Sequence, residues 1–402
     1  MNTATASRNW TGPALLSYGF RPFFLLSGVW AAFAMAFWVV LLAGADPLPI
    51  AFAPMDWHVH AFVFGYLSAV IAGFLLTAVP NWTGRLPVVG WPLAGLVALW
   101  ALGRVALLVG ANWPAGLVAA LDLALPLALI GFLAREIVTG RNWRNLPVLG
   151  LVVLFALANA LFHLEAAQGP AHDGYGLRLG LGAVLMLITL IGGRVVPSFT
   201  RNFLAKQQAQ RLPVAMNRAD GVVLGLTGAA LLAFVTLPES GLTASLCLAA
   251  GGANFWRLSR WQGHQTRAEP LVWVLHAAYA MLALGFVTVG AAAFALLPHS
   301  GARHVWLAGA IGLMTLAVMT RASLGHAGLP LTATRPVAAL YLALIAATLA
   351  RLLAGVWPGE GWLLHLSATL WIVAFGGFSV LYWPILTRPK RAAKAVSAAR
   401  PA

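Results

Sequence analysis

Carboxylates are scarce in this sequence. Ten Asp and Glu stand against 25 Lys and Arg in 402 residues, and charged residues of both signs make up only 9% of the chain. A soluble globular protein carries roughly 25%. A chain this poor in charge cannot cover its own surface in water, so lipid must solvate most of it. Cysteine is nearly absent as well. The one thiol, Cys247, lies inside an apolar run. It excludes a disulfide within the chain, and no Cys-x-x-Cys-His stretch offers covalent heme attachment. The shortage of acidic residues in the apolar runs argues against a calcium or magnesium cage, which needs several hard oxygen ligands.

What the chain has instead is hydrophobic surface: 61% of residues, in long runs broken by short polar turns. Runs of about 20 apolar residues are long enough to cross a bilayer as helices. They predict helices over 20–43, 57–79, 90–110, 115–138, 147–167, 175–197, 219–237, 241–258, 270–297, 302–325, 336–357 and 361–386. The breaks fall at turn-forming residues, among them Pro47, Pro49, Pro80 to Pro87, Pro114, Pro170, Pro238, Pro298 and Pro358. The expectation is an all-α polytopic transmembrane bundle of about twelve helices, forming a single integral membrane domain over 1–402. Its parts are a polar segment 1–18, the bundle 20–386 and a basic tail 388–402. Segment 1–18 has no cleavable apolar stretch, so the first helix is expected to direct insertion.

Basic residues test that count. With twelve crossings, one side collects nearly all the Lys and Arg, from Arg8 and Arg21 through Arg135, Arg201 and Arg260 to the tail. The other side keeps only Arg178 and Arg303, with Arg104 and Arg351 inside helices. The Lys/Arg-rich side is cytoplasmic, so both termini are expected in the cytoplasm. The net charge of +15 then reflects topology and gives no reason to expect nucleic acid. In the same frame Arg104 and Asp122 lie at one depth on consecutive antiparallel helices, where an ion pair lowers the cost of burial. A hairpin lock is expected there, with contact to a cofactor propionate as the other role for Arg104.

The topology also sorts the ten histidines. His58 and His60 begin the second helix at the outer face, His163 ends the fifth, and His304 and His365 begin the tenth and twelfth. His172 and His299 occupy outer loops, His264 an inner loop, and His276 and His326 the inner halves of their helices. Ionisable side chains within a bilayer are costly and functional by default. Five of them near one face point to a metal or cofactor site. In Trp57-His58-Val59-His60 the two imidazoles point about 200° apart on a helix, which suits two centres on opposite faces better than one shared ion. Tyr279 follows His276 by one turn and is expected to hydrogen-bond it or relay a proton. His326 reads either as a ligand or as a cation at a helix C-terminus. Imidazole serves Fe, Cu and Zn alike. The candidate ligands are therefore His58, His60, His276, His304 and His326. Gly65, Gly73, Gly192, Gly193, Gly309 and Gly312 let helices approach closely or leave room for a flat macrocycle.

Several stretches resemble the NnrS family: Gly19 to Phe24 (GFRPFF), Trp57 to His60, Ala72 to Gly84, Ile191 to Pro197, Glu269 to His276 and Gly312 to His326. They run in order over nearly the whole chain. The resemblance implies a bacterial inner (cytoplasmic) membrane protein carrying non-covalent b-type heme and copper and responding to nitric oxide, in denitrification or under nitrosative stress. It implies nitric oxide as ligand or substrate and a quinol or other electron donor. The second His of the family's His-x-His is commonly followed by Glu-Met; this chain has Ala61 and Phe62. Turnover, an oxidoreductase step that would reduce or detoxify nitric oxide, needs protons, and the candidate donors are few: Glu165, Asp56, Tyr279 and Tyr66. Two other classes stay open, a transporter of a small solute or metal complex and a non-catalytic protective or sensor protein. Against transport, no internal repeat relates the two halves.

Overall fold

The computed structural model describes residues 10–85 and 87–389. Arg8 and the tail residues Lys390, Arg391, Lys394 and Arg400 lie outside the described residues, as do the start of the 1–18 segment and most of the 388–402 tail. Among the described residues there is no strand, and twelve long helices follow one another. They are α1 (Phe20–Leu42), α2 (Pro54–Thr83), α3 (Trp91–Val109), α4 (Ala115–Thr139), α5 (Leu146–Ala166), α6 (Tyr175–Lys206), α7 (Arg218–Thr236), α8 (Gly241–Ser259), α9 (Pro270–Ala293), α10 (His299–Ala327), α11 (Arg335–Val356) and α12 (Gly361–Thr387). Eleven are long and apolar enough to span a membrane. The exception, α8, is diluted by glycines, Asn254 and Arg257, and packs between α7 and α9.

The boundaries broadly follow the proline and glycine punctuation, but α2 and α6 run on past Pro80 and Pro197, and Pro126 and Pro384 lie inside α4 and α12. Proline removes one intrahelical donor, and side chains add bonds to other carbonyls in the turns around Pro80 and Pro197. Asn81 donates to the Thr77 carbonyl, Thr83 to Val79 and Thr200 to Val196. Such local compensation is what lets membrane helices carry proline. At the other end of the bundle's sequence, Arg21 Nη1 donates to the carbonyls of Leu386 (3.2 Å) and Arg388 (2.8 Å). The start of α1 therefore meets the end of α12 at one face, as an even number of crossings requires.

The bundle repeats in thirds. In each group of four helices the first two pack together, the last two pack together, and the fourth meets the first of the next group, with α12 closing on α1. The second members, α2, α6 and α10, are the most enclosed spans: 78%, 72% and 78% of their most apolar stretches are buried, against at most 67% for the other spans. Each contains a π-helical stretch, at Ala61–Tyr66, Ile188–Gly192 and Val305–Gly312. A π turn disrupts the regular backbone ladder and is frequent at functional sites. Here neighbours supply donors: Trp30 to the Ala61 carbonyl, Trp100 to Gly65, Arg257 to Thr189, and Thr315 to Ile311 and Gly312.

Candidate metal centre and adjoining cavity

His58 and His60 lie in the first two turns of α2, immediately before its π-helical stretch. Their two-residue spacing turns them to opposite faces, as the helical geometry predicts, and each face meets a different environment.

On the His60 side a carboxylate gathers the surrounding polar groups. His60 Nε2 lies 3.0 Å from Asp122 Oδ2 and 2.9 Å from Asn159 Oδ1. His163 Nε2 also lies 3.0 Å from Asp122 Oδ2, and Asn159 Nδ2 donates to it at 2.8 Å. The second oxygen of Asp122 pairs with Arg104, as the equal depth of the two residues led one to expect. Asn159 and His163 are four residues apart on α5, so they share one face. The packing around them is close. Phe52, Phe64 and Phe162 ring the imidazoles, and a side chain at position 65 would push the Arg104 guanidinium from its place. His60, Asp122 and His163 are all buried, and their ligand atoms lie within 4.8 Å of one another. Two nitrogens and one oxygen could hold a single transition-metal ion. The 3.0 Å separations are within a few tenths of the ~3.3 Å edge of a tetrahedral site built with ~2.05 Å bonds.

On the His58 side there is space. A cavity of about 720 Å³ opens among α1, α2, α6, α10, α11 and α12 at the outer end of the bundle. Five histidines line it: His58, His172, His299, His304 and His365. Arg178, Arg303 and Arg351 do so too. His58 stacks on Trp38 with ring centroids 4.2 Å apart. His304 Nδ1 lies 2.7 Å from the Ser300 carbonyl, so in the neutral ring Nδ1 carries the proton and Nε2 keeps its lone pair. The arginines are tethered at the rim: Arg303 to Asp173, Arg178 to the carbonyls of Asp173 and Val235, and Arg351 to Ser300. Asp56 accepts from the backbone of Ala171 (3.1 Å) and His172 (2.8 Å) and from His172 Nδ1 (2.6 Å), which fixes the α5–α6 loop over α2.

The sequence candidates divide accordingly. The structure brings His58 and His304 to one cavity and places His60 and Arg104 in the buried cluster. It leaves His276 and His326 at the inner end, apart from both. His276 pairs with Thr200 (Nε2 to Oγ1, 2.7 Å). The expected contact with Tyr279 is not made, because the Tyr279 hydroxyl donates to Asn254 Oδ1 (2.7 Å) and accepts from Arg257 (3.0 Å). His326 stacks with Tyr18 and Phe20. Of the proposed proton donors, Glu165 caps the start of α6 through the amides of Tyr175 and Gly176. Tyr66 lines the cavity and hydrogen-bonds Thr315 at 2.7 Å. His163 and Asp122 were not among the expected ligands. The Asn159-x-x-x-His163 spacing, opposite an Asp at matching depth, was the signal available for them.

A comparison with curated proteins returned no match. The family model described as NnrS protein matches residues 14–390. That match takes in all twelve helices and both faces of α2, and the chain belongs to the NnrS family.

Proposed function

We propose that this protein binds nitric oxide at a heme seated in the outer cavity, with a copper ion held separately by His60, Asp122 and His163. The observation that carries the reading is the division of labour at the start of α2, where one turn sends His58 into a roomy cavity and His60 into a tight N,N,O cluster. The cavity's residues fit a heme. Its volume lies in the range of roughly 300–1,000 Å³ usual for ligand pockets. His304 offers Nε2 with Nδ1 already committed to Ser300, the buried His58 Nδ1 has no partner, and three arginines stand at the rim for carboxylates. The aromatic surfaces of Trp38, Phe62 and Trp371 supply flat walls.

Heme iron, when bound, supplies the affinity for a diatomic gas. His58 and His304 would hold and orient the macrocycle, Arg178, Arg303 and Arg351 would neutralise its propionates, and the apolar wall would exclude water. At the second centre Asn159 and Arg104 would hold the Asp122 carboxylate in place, as outer-shell hydrogen bonds do for metal ligands. Tyr66 is the proton-bearing candidate that reaches the cavity itself. Asp56 reaches it only through His172. With the basic ends of the helices in the cytoplasm, the cavity faces the outer side of a bacterial inner membrane. A transporter reading draws less support, because the helices pack in a pattern that repeats in thirds and not as two equivalent halves.

Optical spectra of purified protein, oxidised and reduced, with and without nitric oxide, test this together with iron and copper analysis. His58→Ala and His304→Ala should lose the heme absorption while keeping copper. A preparation with no heme absorption and neither metal would overturn the reading.

A further inference from the structure

A second, smaller cavity of about 100 Å³ lies where α2, α6 and α10 converge. Leu67, Ile71, Ile188, Met314 and Val318 are among its walls, and no polar surface faces it. Thr315 also borders it, but its hydroxyl is engaged with Tyr66 and with the carbonyls of Ile311 and Gly312. A water molecule needs about two to four polar partners to be held in such a place. None is offered, so its walls give water no hold. Dry apolar cavities of roughly this scale bind apolar guests such as xenon.

The position of this cavity matters as much as its lining. Leu67 lines both it and the large outer cavity. Tyr66, on the outer side, is bonded to Thr315, on the inner side, at 2.7 Å. Leu67, just past the π-helical stretch of α2, and the Tyr66–Thr315 hydroxyl pair between α2 and α10 therefore stand between the two spaces. We propose that the three-helix cavity is a docking site for a small uncharged gas molecule, and that the gas passes from it to the outer cavity across Leu67. The docking site stands on the cavity's own chemistry; the passage rests on the nitric-oxide reading above.

Xenon is the probe for the first part. In full-length protein in lipid nanodiscs, 129Xe NMR should show a saturable bound population distinct from lipid-dissolved gas. Val318→Phe, at a half-buried wall position, should abolish it, as should Val70→Phe at another wall position, while His58→Ala should leave it intact. Retained helical content and thermal transition establish that each variant is folded. Absence of a saturable site in the wild type, or its persistence in both folded Phe variants, would overturn the docking site. For the passage, nitric oxide rebinding after flash photolysis, compared per heme bound, should slow several-fold in Leu67→Phe and quicken in Leu67→Ala. Unchanged rates in both would reject the passage and leave the xenon site standing. Absence of heme would reject the nitric-oxide reading without touching the xenon result.

Discussion

Among the described residues two buried Arg–Asp pairs occupy this bundle, and they have been put to different ends. Arg104–Asp122 joins α3 to α4 in the outer half, and Arg257–Asp220 joins α8 to α7 at the inner end. Both guanidinium groups lie against a glycine in or beside a π-helical stretch, Gly65 of α2 and Gly193 of α6. At the inner pair both carboxylate oxygens are consumed by the fold. Asp220 accepts from Arg257 Nε (2.8 Å), from the Asn217 amide (2.9 Å) as part of the cap of α7, and from Arg260 (3.4 Å). The surrounding groups are Tyr279, Asn254 and Thr227, none of them a strong metal ligand. At the outer pair Asp122 gives one oxygen to Arg104 and turns the other to two imidazoles. The ion pair fastens helices together in both places. The added histidines make only one of them a candidate for chemistry.

The strongest way to test the shared part of that comparison is to remove each carboxylate. Breaking a buried pair leaves a charge uncompensated, at a cost of about 3–5 kcal/mol. Asp122→Ala and Asp220→Ala should both lower the unfolding transition in detergent by comparable, large amounts. A near-neutral Asp122→Ala beside a severe Asp220→Ala would show that Arg104 has another partner and that the two pairs are not equivalent.

The unshared part is tested next. His60→Ala and His163→Ala should lose copper while retaining heme, and Tyr279→Phe in the inner network should retain both. Each His variant forfeits hydrogen bonds to a buried carboxylate, about 1–3 kcal/mol. Because an ion that binds only the folded state stabilises it, chelation should lower the thermal transition of the wild type and leave that of His163→Ala where it was. An equal response in the two would remove the cluster from consideration as a metal centre.

Much of this division was legible in the sequence. Apolar run length and proline punctuation fix twelve helices, and the side on which arginines fall fixes their alternation. The exceptions to that charge rule carried the most information. Arg178, Arg303 and Arg351 all line the outer cavity, and Arg104 sits in the buried cluster. Basic residues away from the Lys- and Arg-rich end need a local reason, and here it is two polar sites. The opposite faces of His58 and His60 followed from helix geometry. What hydropathy could not convey was lateral neighbourhood. Nothing along the chain says that α5 packs so that His163 reaches Asp122, or that the repeat runs in thirds about α2, α6 and α10. Those depend on which helix sides meet, and apolar residues all round a membrane helix leave that unmarked. The same blindness paired His276 with Tyr279 by spacing alone, when Arg257 and Asn254 hold the tyrosine.

A subtler test concerns the rim of the outer cavity. Arg351→Ala should weaken heme retention without abolishing it, since Arg303 and Arg178 remain to meet the carboxylates. The loss should appear as a lower heme-to-protein ratio on dilution, with copper content unchanged. Complete heme loss would instead make Arg351 the principal contact.

The smallest effect is expected at His276, and it guards the boundary between the two halves. Thr200 Oγ1 donates to the Val196 carbonyl at 2.8 Å, so the 2.7 Å contact with His276 has the imidazole Nε2–H as donor. Its other nitrogen is buried without a partner, packed where a side chain at Gly263 would collide with it. In that arrangement the ring fastens α9 to the extended end of α6. His276→Ala should therefore cost about 1 kcal/mol for the lost hydrogen bond, and both heme absorption and copper content should match the wild type. Loss of either cofactor in a folded His276→Ala protein would place a redox centre at the inner end. The inner network would then be more than the structural counterpart of the outer one.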